Sequence, residues 1–152
     1  MTAWRDGGNQ VPELDATTTA AVMSNGLQIF QASGDVQILS LLSECVTGNN
    51  TTASTLQYNI APTTGAAATI SGASATLASA LAGTTVTLDG TALTTAPNIN
   101  VGGVGLGQTS RGINFPQGIM NLIVGTGPTT GTWRHYIRYR PLTPGATVIP
   151  LF

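Results

Sequence analysis

Turn-forming residues cut this chain into short pieces. Its 152 residues include 19 Gly and 8 Pro, and the apolar residues between them recur mostly at every second position. A period of two is the signature of a strand with one covered face. Residues 55–60 show it most cleanly: Leu56, Tyr58 and Ile60 alternate with Gln57 and Asn59. Residues 27–32 read as a strand, Ser33-Gly34-Asp35 as a tight turn, and 36–46 as a second, longer strand. Strict alternation in that longer strand puts Val36, Ile38, Leu42 and Val46 on one face and Leu39, Leu41 and Cys45 on the other. A strand apolar on both faces is covered on both, inside a sandwich or at a subunit contact.

The remainder follows the same grammar. Residues 61–83 are rich in Ala, Ser and Thr, and only the Leu77/Leu81 spacing suits a single helical turn. Residues 84–88 and 91–94 flank Asp89-Gly90, which predicts a type I′ hairpin. A Gly-rich connector covers 97–107. Residues 113–115, Pro116-Gln117-Gly118 and 119–124 read as strand, turn and strand. Residues 132–140 form a strand that Pro141 ends, and 147–149 close the chain. Some eight short strands with frequent turns predict an all-β fold: an antiparallel β-sandwich, jelly-roll-like. The expected division is an extended N-terminal arm over 1–26 and the sandwich over 27–152. Residues 1–26 lack an apolar period, and Trp4 leaves two readings open: a frayed end, or an arm that grips a neighbour.

Charge is scarce. Five Arg, four Asp, two Glu and no Lys make 7% of the chain and a net charge of −1, against about 25% charged residues in an ordinary soluble domain. Non-specific binding to nucleic acid needs clustered cations, so no nucleic-acid partner is expected. No apolar run approaches the ~18 residues of a membrane-spanning helix, so no membrane partner is expected. The start, MTAWRDGG, lacks the apolar segment of a signal peptide, which points to assembly in a cytoplasm. A lone Cys45 reads as a small buried hydrophobe. Soluble β-proteins guard their edges with charge, Lys above all; this chain has few charges to use, so its edges must be short, closed or covered by another subunit.

Candidate chemistry is thin. His135 is the single imidazole and shares a strand face with Trp133, Ile137 and Tyr139, so it reads as packed or interfacial. A catalytic use would need a nucleophile in reach, and no Gly-x-Ser-x-Gly elbow is present. The glycines at 102–107 lack dinucleotide-fingerprint spacing, and 127–132 lack the Lys of a phosphate loop. The Asn-x-Thr triplets at Asn49 and Asn50 read as chance in a Thr-rich chain. The carboxylates show no acid–base pair, and no metal or cofactor motif appears.

Charge distribution is more informative. Residues 1–89 carry six acids and Arg5, for −5; residues 90–152 carry four Arg, for +4. Arg134, Tyr136, Arg138 and Arg140 point to one side of their strand, a row suited to an interface. The competing reading is intrachain pairing with Asp or Glu on a neighbouring strand. With Trp4 and Arg5 on the arm, these six residues are the candidate interface.

The block GDVQILSLLSECVT at 34–47 and the run GTWRHYIRYRPL at 131–142, with Pro144-Gly145-Ala146 after it, resemble segments of capsid decoration (cement) proteins of tailed bacteriophages. The resemblance implies a β-rich, non-enzymatic subunit, often a homotrimer, seated on the capsid surface of the virion at three-fold or quasi-three-fold positions. It implies no cofactor, and the major capsid protein as partner. The alternatives are a tail, baseplate or head-fibre component, and a carbohydrate-binding β-sandwich using Trp4, Trp133 and Tyr139 as a platform.

Overall fold

The structure is a computed structural model and describes residues 12–101 and 112–152. The strands are, in chain order, β1 (Leu14–Thr17), β2 (Ala21–Val22), β3 (Gln28–Ala32), β4 (Val36–Cys45), β5 (Thr55–Pro62), β6 (Ala68–Thr69), β7 (Thr85–Thr87), β8 (Asn98–Asn100), β9 (Ile113–Phe115), β10 (Gly118–Gly125), β11 (Thr132–Pro141) and β12 (Val148–Pro150). They make two sheets. The first has the order β1-β11-β4-β7-β8, with β2 also on β11 and β9 also on β4; the second is β12-β3-β10-β5-β6. Every pairing is antiparallel.

The two sheets pack face to face as an antiparallel β-sandwich, as the turn spacing predicts. Early strands pair with late ones: β1 and β4 flank β11, while β3 and β5 flank β10. Rolling up a long hairpin gives this order, so the sandwich is jelly-roll-like. The core lies between the sheets, and its largest fully buried side chains are Trp133, Tyr58, Phe30 and Phe115. Each such side chain contributes roughly 1.5–3 kcal/mol by leaving water. Alternation holds through β5, where Leu56, Tyr58 and Ile60 are buried, and through β11, where Trp133, His135, Ile137 and Tyr139 are buried.

Several expectations need correction. The arm does not extend to residue 26. Leu14 to Thr17 pair with Tyr139 to Tyr136, Ala21 and Val22 continue along β11, and Met23 is fully buried. Residues 12–26 therefore belong to the sandwich, because β11 needs a neighbour on its outer side and this segment supplies it. The β4 faces also differ from strict alternation. Tyr139 lies opposite Ile38 and Arg138 opposite Ser40, so Leu39 is the extra residue of a β-bulge. The bulge shifts the phase, and the inward residues are Val36, Ile38, Leu41, Ser43 and Cys45. Leu42 faces outward.

The Asp89-Gly90 hairpin is longer than expected. β7 pairs with β8, Thr87 facing Asn98, so the return strand begins at 98 rather than 91. Gly90 has φ +74°, but Asp89 is absent from the positive-φ residues, and type I′ requires both. Asp89 instead caps the loop, its Oδ1 accepting from the Thr91 amide at 3.1 Å. Residues 61–83 contain the short β6 and turns, and Leu81 is 69% exposed rather than packed beside Leu77. β9 and β10 do not form a hairpin: the chain crosses from one sheet to the other between them. Most of the Gly-rich connector lies outside the described residues.

Candidate interaction surface

The outer face of the first sheet is built on its two longest strands, β4 and β11, ten residues each. With Trp133, His135, Ile137 and Tyr139 turned inward, Arg134, Tyr136, Arg138 and Arg140 are aligned on the outside, as the sequence predicts. Antiparallel register then sets their neighbours. Arg138 lies opposite Asp15 of β1, and Arg134 opposite Glu44 of β4. Arg138 Nε donates to Asp15 Oδ1 at 2.9 Å, and Nη2 to Oδ2 at 3.4 Å. Arg140 Nη2 donates to Glu13 Oε1 at 3.4 Å. The Tyr136 hydroxyl donates to Glu44 Oε2 at 2.7 Å and accepts from Arg134 Nη1 at 3.3 Å. The Asp15 carboxylate holds the Arg138 proton more tightly still, raising a pKa that is already high.

The lopsided charge of the sequence is thus brought together within one subunit. Acids from the N-terminal half meet arginines from the C-terminal half across the β1–β11 and β4–β11 pairings. Intrachain pairing, the competing reading of the arginine row, is what the geometry shows for Arg138 and Arg140. These side chains keep much of their exposure, 54% for Arg138 and 43% for Arg140. Exposed ion pairs of this kind are weak and readily exchanged. A shallow hollow of about 480 Å³ lies among Asp15, Thr17, Ser40, Leu42, Glu44 and Tyr136.

Behind this face lies a sealed polar cluster. Ser43 Oγ is 2.7 Å from His135 Nδ1 and 2.8 Å from the Tyr58 hydroxyl. The His135 amide donates to Thr18 Oγ1 at 3.0 Å. Ser43, Tyr58 and His135 all have 0% exposure. Among the described residues the imidazole Nε2 has no hydrogen-bond partner, and the ring meets Phe152 edge-on at 6.2 Å. Burial holds His135 neutral, lowering its pKa to about 3, and pushes the Tyr58 phenol above its ordinary value. A serine does stand within reach of His135, but the pair faces the core rather than a cleft, and its third member is a tyrosine rather than a carboxylate. The bulge at Leu39, which turns Ser43 inward, left no signal in the sequence.

The outer face of the second sheet differs in kind. Its strands contain no Asp, Glu, Arg or Lys. Ile149, Gln31, Ile119 and Ala61 follow one another across β12, β3, β10 and β5. Beside them Asn59 Nδ2 donates to Asn121 Oδ1 at 2.9 Å.

The aromatic platform of the carbohydrate-binding alternative does not include Trp133 or Tyr139 as surface residues. Trp133 is fully buried with its Nε1 donating to Asn49 Oδ1 at 3.1 Å, and the Tyr139 hydroxyl accepts from the buried Val148 amide at 3.0 Å. Trp4 and Arg5 lie outside the described residues. Among the described residues no group of three His, Cys, Asp or Glu is placed to hold a metal, and no helix is long and apolar enough to cross a membrane. Comparison with protein-family models, curated proteins and solved structures finds no match to this chain.

Proposed function

We propose that this chain is a non-enzymatic virion structural protein that decorates a phage capsid and stabilises it by bridging major capsid protein subunits, as a homotrimer on the capsid surface, assembled in the host cytoplasm. The observation that carries this reading is the outer face of β4 and β11, the two longest strands. It gathers Arg134, Tyr136, Arg138 and Arg140 beside Glu13, Asp15 and Glu44 in exchangeable surface pairs. Such a face suits a broad protein surface: arginine and tyrosine are enriched at interfaces, and ion pairs made within the subunit can be re-made with a partner. The resemblance of 34–47 and 131–142 to decoration-protein segments supports the same reading, since these runs contain the whole of β4 and β11. Jelly-roll-like sandwiches serve viral shells and lectins alike, so the fold itself favours neither.

A tail, baseplate or head-fibre component would use the same face and differ in its place on the particle. The carbohydrate-binding alternative loses Trp133 and Tyr139, which the core encloses. The test is co-sedimentation with empty heads of the phage that carries this chain. Arg134→Gln with Arg138→Gln should weaken shell binding at least tenfold while leaving the melting temperature of the free subunit within about 3 °C. A large fall in melting temperature with shell binding intact would assign the row to internal stability instead.

A further inference from the structure

We propose that the outer face of the second sheet is where copies of this chain pack on one another, around a rotational symmetry axis. The proposal rests on only the self-assembly part of the reading above.

A symmetry axis brings each residue near its own copies, so an ionised side chain close to the axis meets like charge. A face that sits on such an axis is stable when it carries no net charge and, better, no charge at all. Of the eight Asp, Glu and Arg among the described residues, six lie on or beside the outer face of the first sheet: Glu13, Asp15, Glu44, Arg134, Arg138 and Arg140. Asp35 and Asp89 lie in loops. The strands of the second sheet carry none. So uneven a division is more than general scarcity of charge requires.

The chemistry of the face fits a second copy of itself. The apolar cross-strand row of Ile149, Ile119 and Ala61 can be desolvated without stranding an ion, and Ile149 is 51% exposed. Gln31, Gln57, Asn59 and Asn121 carry amides; Gln57 gives one hydrogen to the Ser71 carbonyl and Asn59 one to Asn121, and the donors and acceptors left over let a like face satisfy a like face. A strongly charged partner would find nothing here to pair with. Size sets the last condition. Strands of three, five, eight, eight and two residues, at about 3.4 Å per residue and about 4.8 Å apart, give an area of about 420 Å². Stable interfaces take about 800 Å² from each partner, so the contact must extend beyond the strands onto the loops around them.

The native mass of the purified full chain at micromolar concentration is the test. The wild type should run as a dimer or trimer. Ile119→Glu or Gln31→Glu, each placing a carboxylate beside its own copies, should raise the dissociation constant at least 100-fold and yield folded monomer, as judged by an unchanged near-ultraviolet circular dichroism spectrum. Gln31, exposed between Ile119 and Ile149, is the safer position should Ile119→Glu unfold the subunit. Arg138→Gln, on the opposite face, should leave the mass unchanged. A monomeric wild type, or an oligomer that survives Gln31→Glu, overturns the proposal. A wild-type oligomer that Ile119→Glu dissociates but that does not bind empty shells supports this contact and counts against the capsid reading alone.

Discussion

Ser43 Oγ lies 2.7 Å from Nδ1 of His135 across the β4–β11 pairing, with both side chains fully enclosed by the sandwich. The imidazole is held there as a neutral base, with desolvation as the cause of its low pKa, about 3.

This relationship fixes how stability varies with pH. The unfolded chain protonates His135 near pH 6.5, whereas the folded chain resists until about pH 3. Between those values the unfolded state holds the extra proton. The contribution of His135 is therefore fully present above pH 6.5 and is lost as pH falls towards 3. The expected slope approaches about 1.4 kcal/mol per pH unit. Urea unfolding from pH 7.5 to 4.5 should show the wild type weakening more steeply than His135→Leu. Parallel curves would mean that the imidazole is already solvated.

Trp133→Ala should act on stability. The indole is fully buried and donates to Asn49 Oδ1, so its removal leaves a large cavity and takes one of two donors from that oxygen, the Gly131 amide remaining. A loss of about 3–5 kcal/mol is expected in denaturant unfolding. A stable Trp133→Ala protein that had lost binding to a glycan would instead restore the aromatic platform as a surface feature.

Gly131 stands where the start of β11 meets the loop after β4. A Cβ added there would collide with the Thr47 carbonyl oxygen and lie 2.8 Å from the Gly48 carbonyl carbon. Both contacts are with backbone, which cannot swing aside. Gly131→Ala should cost at least about 1–3 kcal/mol. Gly127→Ala, with open space but φ +97°, should cost less, through backbone strain alone.

Cys45 is fully buried at the end of β4, and burial raises its thiol pKa. A disulfide-exchange reagent at pH 8 should label the native protein at least 100-fold more slowly than the urea-unfolded chain. Rapid native labelling would show that the Cys45 end of β4 opens readily.

The sequence showed the fold wherever one face is apolar and the other wet. β5 and β11 alternate without interruption, so both their extent and their inward residues could be read directly. The phase of β4 could not, because a one-residue bulge at Leu39 is set by pairing with β11 and leaves no local mark. β1 and β2 were hidden for a different reason. Leu14, Ala16 and Val22 are too few to show a period, and these strands exist because β11 has an outer side to fill. The Asp89-Gly90 step opens a loop over residues 88–97 rather than closing a two-residue turn, and Asp89 caps that loop. The arginine row was legible as a row. Its acidic neighbours were not, because Asp15 and Arg138 are 123 residues apart in sequence.

A reconstruction of the intact particle tests the central claim most directly. The account predicts this sandwich on the outside of the head, with the outer face of β4 and β11 against the major capsid protein and the uncharged face of β3, β10 and β5 turned towards its own copies. Density for the chain only in the tail or baseplate, or its absence from the particle, would contradict it.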